Sequence, residues 1–293
     1  MDSLKAIEKA IMYIENHLDE DIGVEDAARA AGYSYYHLTR QFTALLGESI
    51  GSYIKKRRLA DSAQKLLYTD KRVIDIALEN GFESSEAFSR AFKAMYKLSP
   101  HAYRKNRLDL MIGAKQRMEP ELLDHIIHNI TVHPQIVELP QTRVAGLRGQ
   151  TTLRDNVIPA LWQQFNAISH TIPNVKPGGR GFGICEACQE DNSLYTMNND
   201  VLFSEVVGVE VENFDRLPGP FVAKSLPGGR YAVFTHTGSL ARLPQTFQYI
   251  WGTWFFSTKE ELDGSREDFE LYDERFIGYH HPESQIDIYI PVK

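Results

Sequence analysis

Residues 32–42 read GYSYYHLTRQF, and residues 81–92 read GFESSEAFSRAF. Both stretches open on a glycine followed by an aromatic residue, and both close on R-x-F. The echo extends beyond them. Val24, Asp26, Ala28, Gly32 and Tyr33 answer to Val73, Asp75, Ala77, Gly81 and Phe82 at an offset of 49. One extra residue in the turn makes the offset 50, and Leu38, Arg40, Phe42, Ser49 and Tyr53 then answer to Phe88, Arg90, Phe92, Ser99 and Tyr103. Each copy has the pattern of helix, glycine-containing turn, helix, which is the helix-turn-helix signature. The apolar positions repeat. The outward stripe of the second helix mostly does not: Tyr36, Thr39, Arg40 and Thr43 in one copy, Glu86, Ser89, Arg90 and Lys93 in the other. These lie three and four residues apart, on one helical face. Equivalent helices that read different base sequences should look this way.

Working outward, Leu4, Ile7, Ile11, Ile14 and Leu18 form one apolar helix face before the first copy. Ser34 and Ser49 stand where N-caps are wanted, and Ser49 opens a long helix. Pro100 suits the first turn of a closing helix. The pattern changes near residue 108. Residues 108–134 read as a connection with a short helix at Glu121–Ile130. Beyond it, short runs rich in β-branched and aromatic residues predict strands: QIVELP, TRVAGLRG, RGFGICEA, FSEVVGVEV, FVAKSLP, GRYAVFTHTG, DFELYDERF and QIDIYIPV. Helices are expected at Pro159–Ile168 and Pro244–Phe256. A weaker echo at offset 87 relates Leu139-Pro140, Arg143 and Ala145 to Leu226-Pro227, Arg230 and Ala232. The expected architecture is multidomain: an all-α double helix-turn-helix domain (1–107), a linker (108–134) and an α+β domain (135–293) of two βαβ-type halves with pseudo-twofold symmetry.

The 293 residues carry a net charge of −7. Residues 1–110 hold 17 Lys and Arg against 16 Asp and Glu, while residues 111–293 hold 15 against 23. The first part is near neutral but concentrates its cations at Lys55–Arg58 and Arg104–Arg107, and local patches rather than totals decide nucleic-acid binding. The acidic second part suits a cationic partner. There is no apolar run long enough for a membrane span and no signal-peptide pattern. Two cysteines argue against a disulfide scaffold, so the chain reads as cytoplasmic. Cys185 and Cys188 form a C-x-x-C without a second pair, too few ligands for zinc. No phosphate-binding loop, nucleophile elbow or dinucleotide fingerprint is present, so no enzyme activity and no cofactor are expected.

Residues 28–42 (A-x-x-A-G-Y-S-x-x-H-L-x-R-x-F), 76–82 (I-A-L-x-x-G-F), 88–93 (F-S-R-A-F-K) and 99–104 (S-P-x-x-Y-R) resemble the DNA-binding domain of the AraC/XylS family. Residues 140–148 (P-x-x-R-V-A-G-L-R), 228–238 and 268–272 (D-F-E-L-Y) resemble the GyrI-like effector-binding domain. The two in this order resemble the Rob-type architecture. The resemblance implies a bacterial transcription regulator, with double-stranded DNA and RNA polymerase as partners. It also implies an acidic residue in an aromatic pocket that receives cationic lipophilic compounds, and the D-F-E-x-Y glutamate is Glu270.

In the first copy Tyr35, Tyr36, Thr39 and Arg40 are the expected groove residues, since arginine can bond guanine bidentately and aromatic faces meet thymine methyls. The alternative is a merely solvated Arg40. In the second copy Ser84, Ser85, Ser89 and Arg90 are expected. Glu86 is awkward near phosphate, though it could accept from cytosine or cap its helix. Lys55 and Arg104 are expected at phosphate. Around Glu270, the candidate pocket walls are Trp162, Tyr231, Trp251, Trp254 and Tyr272, against the alternative of an exposed strand glutamate and core tryptophans. One chain already supplies two reading helices, so a monomer on DNA is expected. An enzyme that uses Glu270 with Tyr272 or Tyr231, or a protein-interaction module, are the rival readings of the second domain.

Overall fold

The computed structural model describes residues 2–106, 115–187 and 201–293. Its contacts define two compact units. One is Met1–Ile127 together with Phe247–Ser257; the other is His128–Thr246 together with Thr258–Lys293.

The first unit is helical: α1 (Asp2–Asn16), α2 (Val24–Ala31), α3 (Tyr35–Leu46), α4 (Ile50–Tyr68), α5 (Val73–Glu79), α6 (Ser85–Tyr96), α7 (Pro100–Asn106) and α8 (Pro120–His128). The two copies of the sequence repeat become α2–α3 and α5–α6, with α4 between them. Their boundaries follow from the repeated residues. Gly32 and Gly81 both take φ +72°, the left-handed turn that a side chain resists. The Ser34 and Ser84 hydroxyls accept from the N–H groups of His37 and Ala87, capping α3 and α6. Ser49 and Ser99 cap the next helix of each copy in the same way. Leu38, Phe42 and Leu46 on α3, and Phe88, Phe92 and Tyr96 on α6, are buried. Phe92 stacks with Tyr96 and Tyr103 in a core shared with Leu59, Ala63, Leu66 and Ile76.

Buried charge ties the first copy to its surroundings. The Glu15 carboxylate on α1 is fully enclosed and accepts from Arg57 Nε at 2.7 Å, from Arg57 Nη2 at 2.9 Å and from the Tyr53 hydroxyl, both donors standing on α4. Burial, and then the Glu15 charge, hold the Tyr53 phenol protonated well above its ordinary range. Arg57 Nη1 also donates to the Lys115 carbonyl at 2.7 Å. A second acid, Glu48, receives Lys56 Nζ at 2.8 Å and Lys115 Nζ at 2.5 Å. The Lys115 and Glu48 side chains are 1% and 2% exposed, so neither charge has water to fall back on. Lys115 Nζ makes its other bond to Thr253 Oγ1 at 2.9 Å, within the 247–257 segment of the same unit. That segment was expected to be one helix, Pro244–Phe256. It is an α-helix, α10 (Leu243–Tyr249), followed by a π-helical turn (Ile250–Trp254).

The second unit is built on eight strands: β1 (Gln135–Leu139), β2 (Thr142–Thr151), β3 (Gly181–Ala187), β4 (Phe203–Glu210), β5 (Val222–Leu226), β6 (Gly229–Thr237), β7 (Phe269–Tyr272) and β8 (Gln285–Pro291). They form one sheet in the order β1-β6-β8-β7-β3-β4-β2-β5, with every neighbouring pair antiparallel. The halves are β2, α9 (Ile158–Ile168), β3, β4 and β6, α10, β7, β8, meeting where β3 pairs with β7. The expected βαβ units are of the split kind: β2 and β3 run parallel, but β4 lies between them.

Connection lengths dictate the curvature. β1 is at one end of the order and β2 is one strand in from the other, yet only Pro140 and Gln141 join them. Three Cα steps span at most about 11 Å. The sheet therefore curls until its ends meet. The Pro227–Gly228 link from β5 to β6 makes the same crossing, and the Gly228 backbone passes against Leu139 and Pro140. The Leu-Pro echo in the sequence marks this crossover. Curling encloses one face of the sheet, where Val144, Phe182, Ile184, Val206, Leu226, Tyr231, Phe269 and Leu271 form a core. α9 covers part of the other face through Leu161 and Phe165, packed on Ala145, Leu147 and Val207.

Truncating Glu15 leaves Arg57 buried without its carboxylate. Glu15→Ala should lower the unfolding free energy by about 3–5 kcal/mol, read as a fall in the urea midpoint, while Lys71→Ala at an exposed pair should change it by less than about 1 kcal/mol.

Candidate nucleic-acid interface and acidic pocket

α3 and α6 present matching surfaces. Tyr36, Arg40 and Thr43 are exposed on α3, and Glu86, Arg90 and Lys93 are exposed at the same register on α6. Tyr35 is exposed too, and its ring meets the edge of Tyr36 at 5.4 Å. Thr39 and Ser89 are half-buried at the flank, and the Thr39 hydroxyl has no partner among the described residues. Ser84 caps α6 and Ser85 begins it. Glu86 is held by that helix end: the backbone N–H at its own position, then the Ser85 and Ser84 hydroxyls, keep its carboxyl below the usual range. Its acidity is used at the helix N-terminus, where negative charge is favoured.

The basic clusters divide by function. Lys56, Arg57 and Arg58 are engaged within the fold, on Glu48, on Glu15 and on the carbonyls of Leu18 and Glu20. Lys55 is exposed and has no partner among the described residues. Arg104, expected at phosphate, donates instead to the Leu66 carbonyl at 3.0 Å and the Lys71 carbonyl at 2.7 Å. The end of α4 offers unpaired carbonyls, and a guanidinium within reach satisfies them. Arg107 of the second cluster lies outside the described residues.

In the second unit, strand alternation sorts the pocket candidates. Glu270 and Tyr272 share a face of β7, and the Tyr272 hydroxyl donates to Glu270 Oε2 at 2.6 Å. Trp162 projects from α9 to Tyr272, the rings 4.9 Å apart and edge-on. Its indole nitrogen is buried with no partner among the described residues. Tyr231 was expected beside them and is not. The register β6–β8–β7 puts it on the enclosed face, packed on Phe269 and donating to the Pro227 carbonyl at 3.2 Å. Trp251 and Trp254 are also corrected: both are buried in the π-helical turn of the first unit, whereas Glu270 belongs to the second.

Three further residues complete the acidic site. Glu205 on β4 and Glu270 on β7 flank Gly183 on β3. A Cβ at position 183 would stand 2.9 Å from Glu205 Oε1 and 3.0 Å from Glu270 Oε2, so the glycine leaves the space in which the two acids converge. Asp268 is buried just before β7. Burial first, and then Glu270 and Asp268, push the Glu205 carboxyl well above the ordinary range. Burial, joined by Asp268 and opposed by the Tyr272 hydrogen bond, pushes Glu270 up to about 7. Burial raises Asp268 to about 6. The Cys185 thiol on β3 is pushed up by burial and then by Asp268, Glu205 and Glu270. Among the described residues no cation acts on Glu205 or Glu270. Arg148 and Lys224 pair with Glu186, which alternation puts on the enclosed face. A separate cavity of about 520 Å³ opens between α9, β2 and β5, lined by Leu147, Leu161, Gln164 and Val222 among others, and none of the acids reaches it. Among the described residues no cluster of metal-ligating side chains occurs.

Raised carboxyl pKa values mean that the folded state holds protons the unfolded chain has lost. For Glu270 that stabilisation is complete below the unfolded value of about 4.3 and disappears as pH rises through about 7. The melting temperature of the chain should therefore fall between pH 5 and pH 8. Glu270→Gln, which cannot ionise, should flatten that decline in a thermal scan.

The comparisons with known proteins follow these two surfaces. Residues 135–292 match the model of the integron-associated effector binding proteins, and residues 27–106 match a helix-turn-helix domain model. The uncharacterized HTH-type transcriptional regulator YbfP of Bacillus subtilis is 52% identical over 100 residues, and the match spans about a third of that protein, 34% of each chain. The transcriptional regulator Rob of Salmonella typhimurium is 27% identical over 259 residues, 86% of this chain and 85% of that one. Among solved structures, the integron cassette protein VCH_CASS2 of Vibrio cholerae aligns with 56% of this chain and 96% of its own, at 16% identity and a TM-score of 0.39. Among the described residues no helix is long and apolar enough to cross a membrane. The chain belongs to the integron-associated effector binding protein family, and is a transcriptional regulator that carries an AraC-type helix-turn-helix domain ahead of its GyrI-like effector-binding domain.

Proposed function

We propose that the chain reads an asymmetric double-stranded DNA site as a monomer, through α3 and α6, and activates transcription by contact with RNA polymerase. A small lipophilic cation held at Glu270 is the effector, in a cytoplasmic protein. The observation that carries the DNA reading is the matched pair Arg40 and Arg90, exposed at one register on two equivalent helices. An arginine in that position can fork onto guanine. Lys55 supplies phosphate affinity, and Arg104 serves the fold. Tyr35, Tyr36, Thr39, Ser84, Ser85 and Ser89 line the two reading surfaces.

The effector reading rests on two acids, buried Glu205 and half-buried Glu270, that no cation among the described residues neutralises, with Glu270 beside the rings of Trp162 and Tyr272. A lipophilic cation restores charge balance and gains the aromatic faces. We infer a binding module rather than an enzyme. The Tyr272–Glu270 hydrogen bond is what favours the hydrolase alternative, since such a pair could activate water. Product formation from an electrophilic small molecule, lost in Glu270→Gln, would establish that alternative.

Arg40→Ala should weaken specific binding by about 1–3 kcal/mol while sparing random DNA, and Lys55→Ala should reduce the log–log salt slope by about 0.9. Arg104→Ala should lower the melting temperature and leave the slope unchanged. Gel-shift titrations at several salt concentrations check all three. Tetraphenylphosphonium should quench tryptophan fluorescence saturably, and Glu270→Ala should weaken that binding at least about tenfold, as expected for losing a buried charge partner. Equal affinity in the variant would remove Glu270 from the site.

A further inference from the structure

Glu205 is 4% exposed, and no hydrogen bond or ion pair reaches it from the described residues. It is not an isolated acid left in a core. Its Oε1 and the Oε2 of Glu270 reach the same space, which a side chain at Gly183 would fill. The Trp162 ring stands against Tyr272, and its buried indole N–H has no partner among the described residues. Two carboxylates on opposite sides of a gap, next to an aromatic wall, match a planar group that donates N–H bonds from both edges.

We propose that Glu205 is the second ligand-binding acid of this pocket, and that Glu205 and Glu270 together grip an aryl amidinium or guanidinium, one carboxylate on each edge of its fork. The inference rests on the cationic-effector reading and narrows it. A quaternary ammonium or phosphonium carries charge but no N–H, so it leaves both acids without hydrogen bonds. A fork satisfies both and spreads its single charge between them. Burial raises both carboxyls, so engaging both as carboxylates displaces a proton to solvent. The groups facing the pair are Asp268 at the head of β7, Tyr272 on β7 and Cys185 on β3. Glu186 is committed to Arg148 and Lys224 on the other face.

Benzamidine and phenyltrimethylammonium are size-matched probes that differ in N–H donors. Calorimetric titration of the intact chain at pH 7 should show benzamidine binding at least about tenfold more tightly. Repeating it in buffers of different ionisation enthalpy should show close to one proton released per benzamidine and none for phenyltrimethylammonium. Glu205→Gln mimics the protonated acid and keeps its shape. It should cut benzamidine affinity about tenfold or more, leave phenyltrimethylammonium within about threefold, and abolish the proton release. Glu205→Asp, which withdraws the carboxylate by one methylene, should fall between wild type and Glu205→Gln. If Glu205→Gln leaves the benzamidine preference intact while Glu270→Gln destroys binding of both probes, the role of Glu205 is overturned and the cationic pocket stands. If wild type binds neither probe, the cationic reading fails and this inference falls with it.

Discussion

A carboxylate taken out of water must be neutralised, by a cation, by hydrogen bonds or by a proton. This chain uses different answers in its two units. In the helical unit each buried acid meets a permanent partner: Glu15 takes the Arg57 fork and the Tyr53 hydroxyl, and Glu48 takes Lys56 and Lys115. These contacts join α1, α4 and the 115–127 and 247–257 segments into one body. In the sheet unit the acids around Gly183 have no such partner among the described residues, and burial raises their carboxyl pKa values instead. The first arrangement is finished and rigid. The second is an arrangement that a cation would complete.

The same division runs through the helix-turn-helix repeat. Positions that face the core are copied between the halves with their caps and turns, because each unit needs the same sharp entry and the same apolar stripe. Positions that face outward are free to differ, and only the arginine of the stripe is kept. Glu86 illustrates how a residue that looks wrong for a DNA face can be right for the helix it begins. Its carboxylate is occupied by the N-terminal amides and hydroxyls of α6 rather than displayed to a phosphate.

Much of the fold was legible in the sequence for identifiable reasons. The offset repeat fixed the two helix-turn-helix units, Ser34 and Ser49 marked two of the caps, and β-branched runs located the eight strands seen among the described residues. The Leu-Pro echo pointed to internal symmetry, though not to the crossover it encodes. The site was less legible. Tyr231 is separated from Glu270 by the alternation of strands two places apart in the sheet, and that register cannot be read before the strand order is known. Trp251 and Trp254 were named as pocket walls, and their segment packs in the other unit. Glu205 was missed although FSEVVGVEV carries a signal: an acid in phase with Val207 and Val209 on a strand buried on both faces. Arg104 looked like part of a basic patch, and only the free carbonyls at the end of α4 explain its engagement.

The crossover of the two short links has a consequence for the origin of the sheet. Each half is preceded in the chain by a strand that pairs not with it but with the other half: β1, ahead of β2, lies on β6, and β5, ahead of β6, lies on β2. A chain holding one half alone would have a leading arm with nothing to grasp and an open flank where an arm belongs. Two such chains would complete each other by trading arms. Joining them head to tail would yield the present domain, so its pseudo-dyad reads as the remnant of an arm-exchanged homodimer sealed into a single polypeptide.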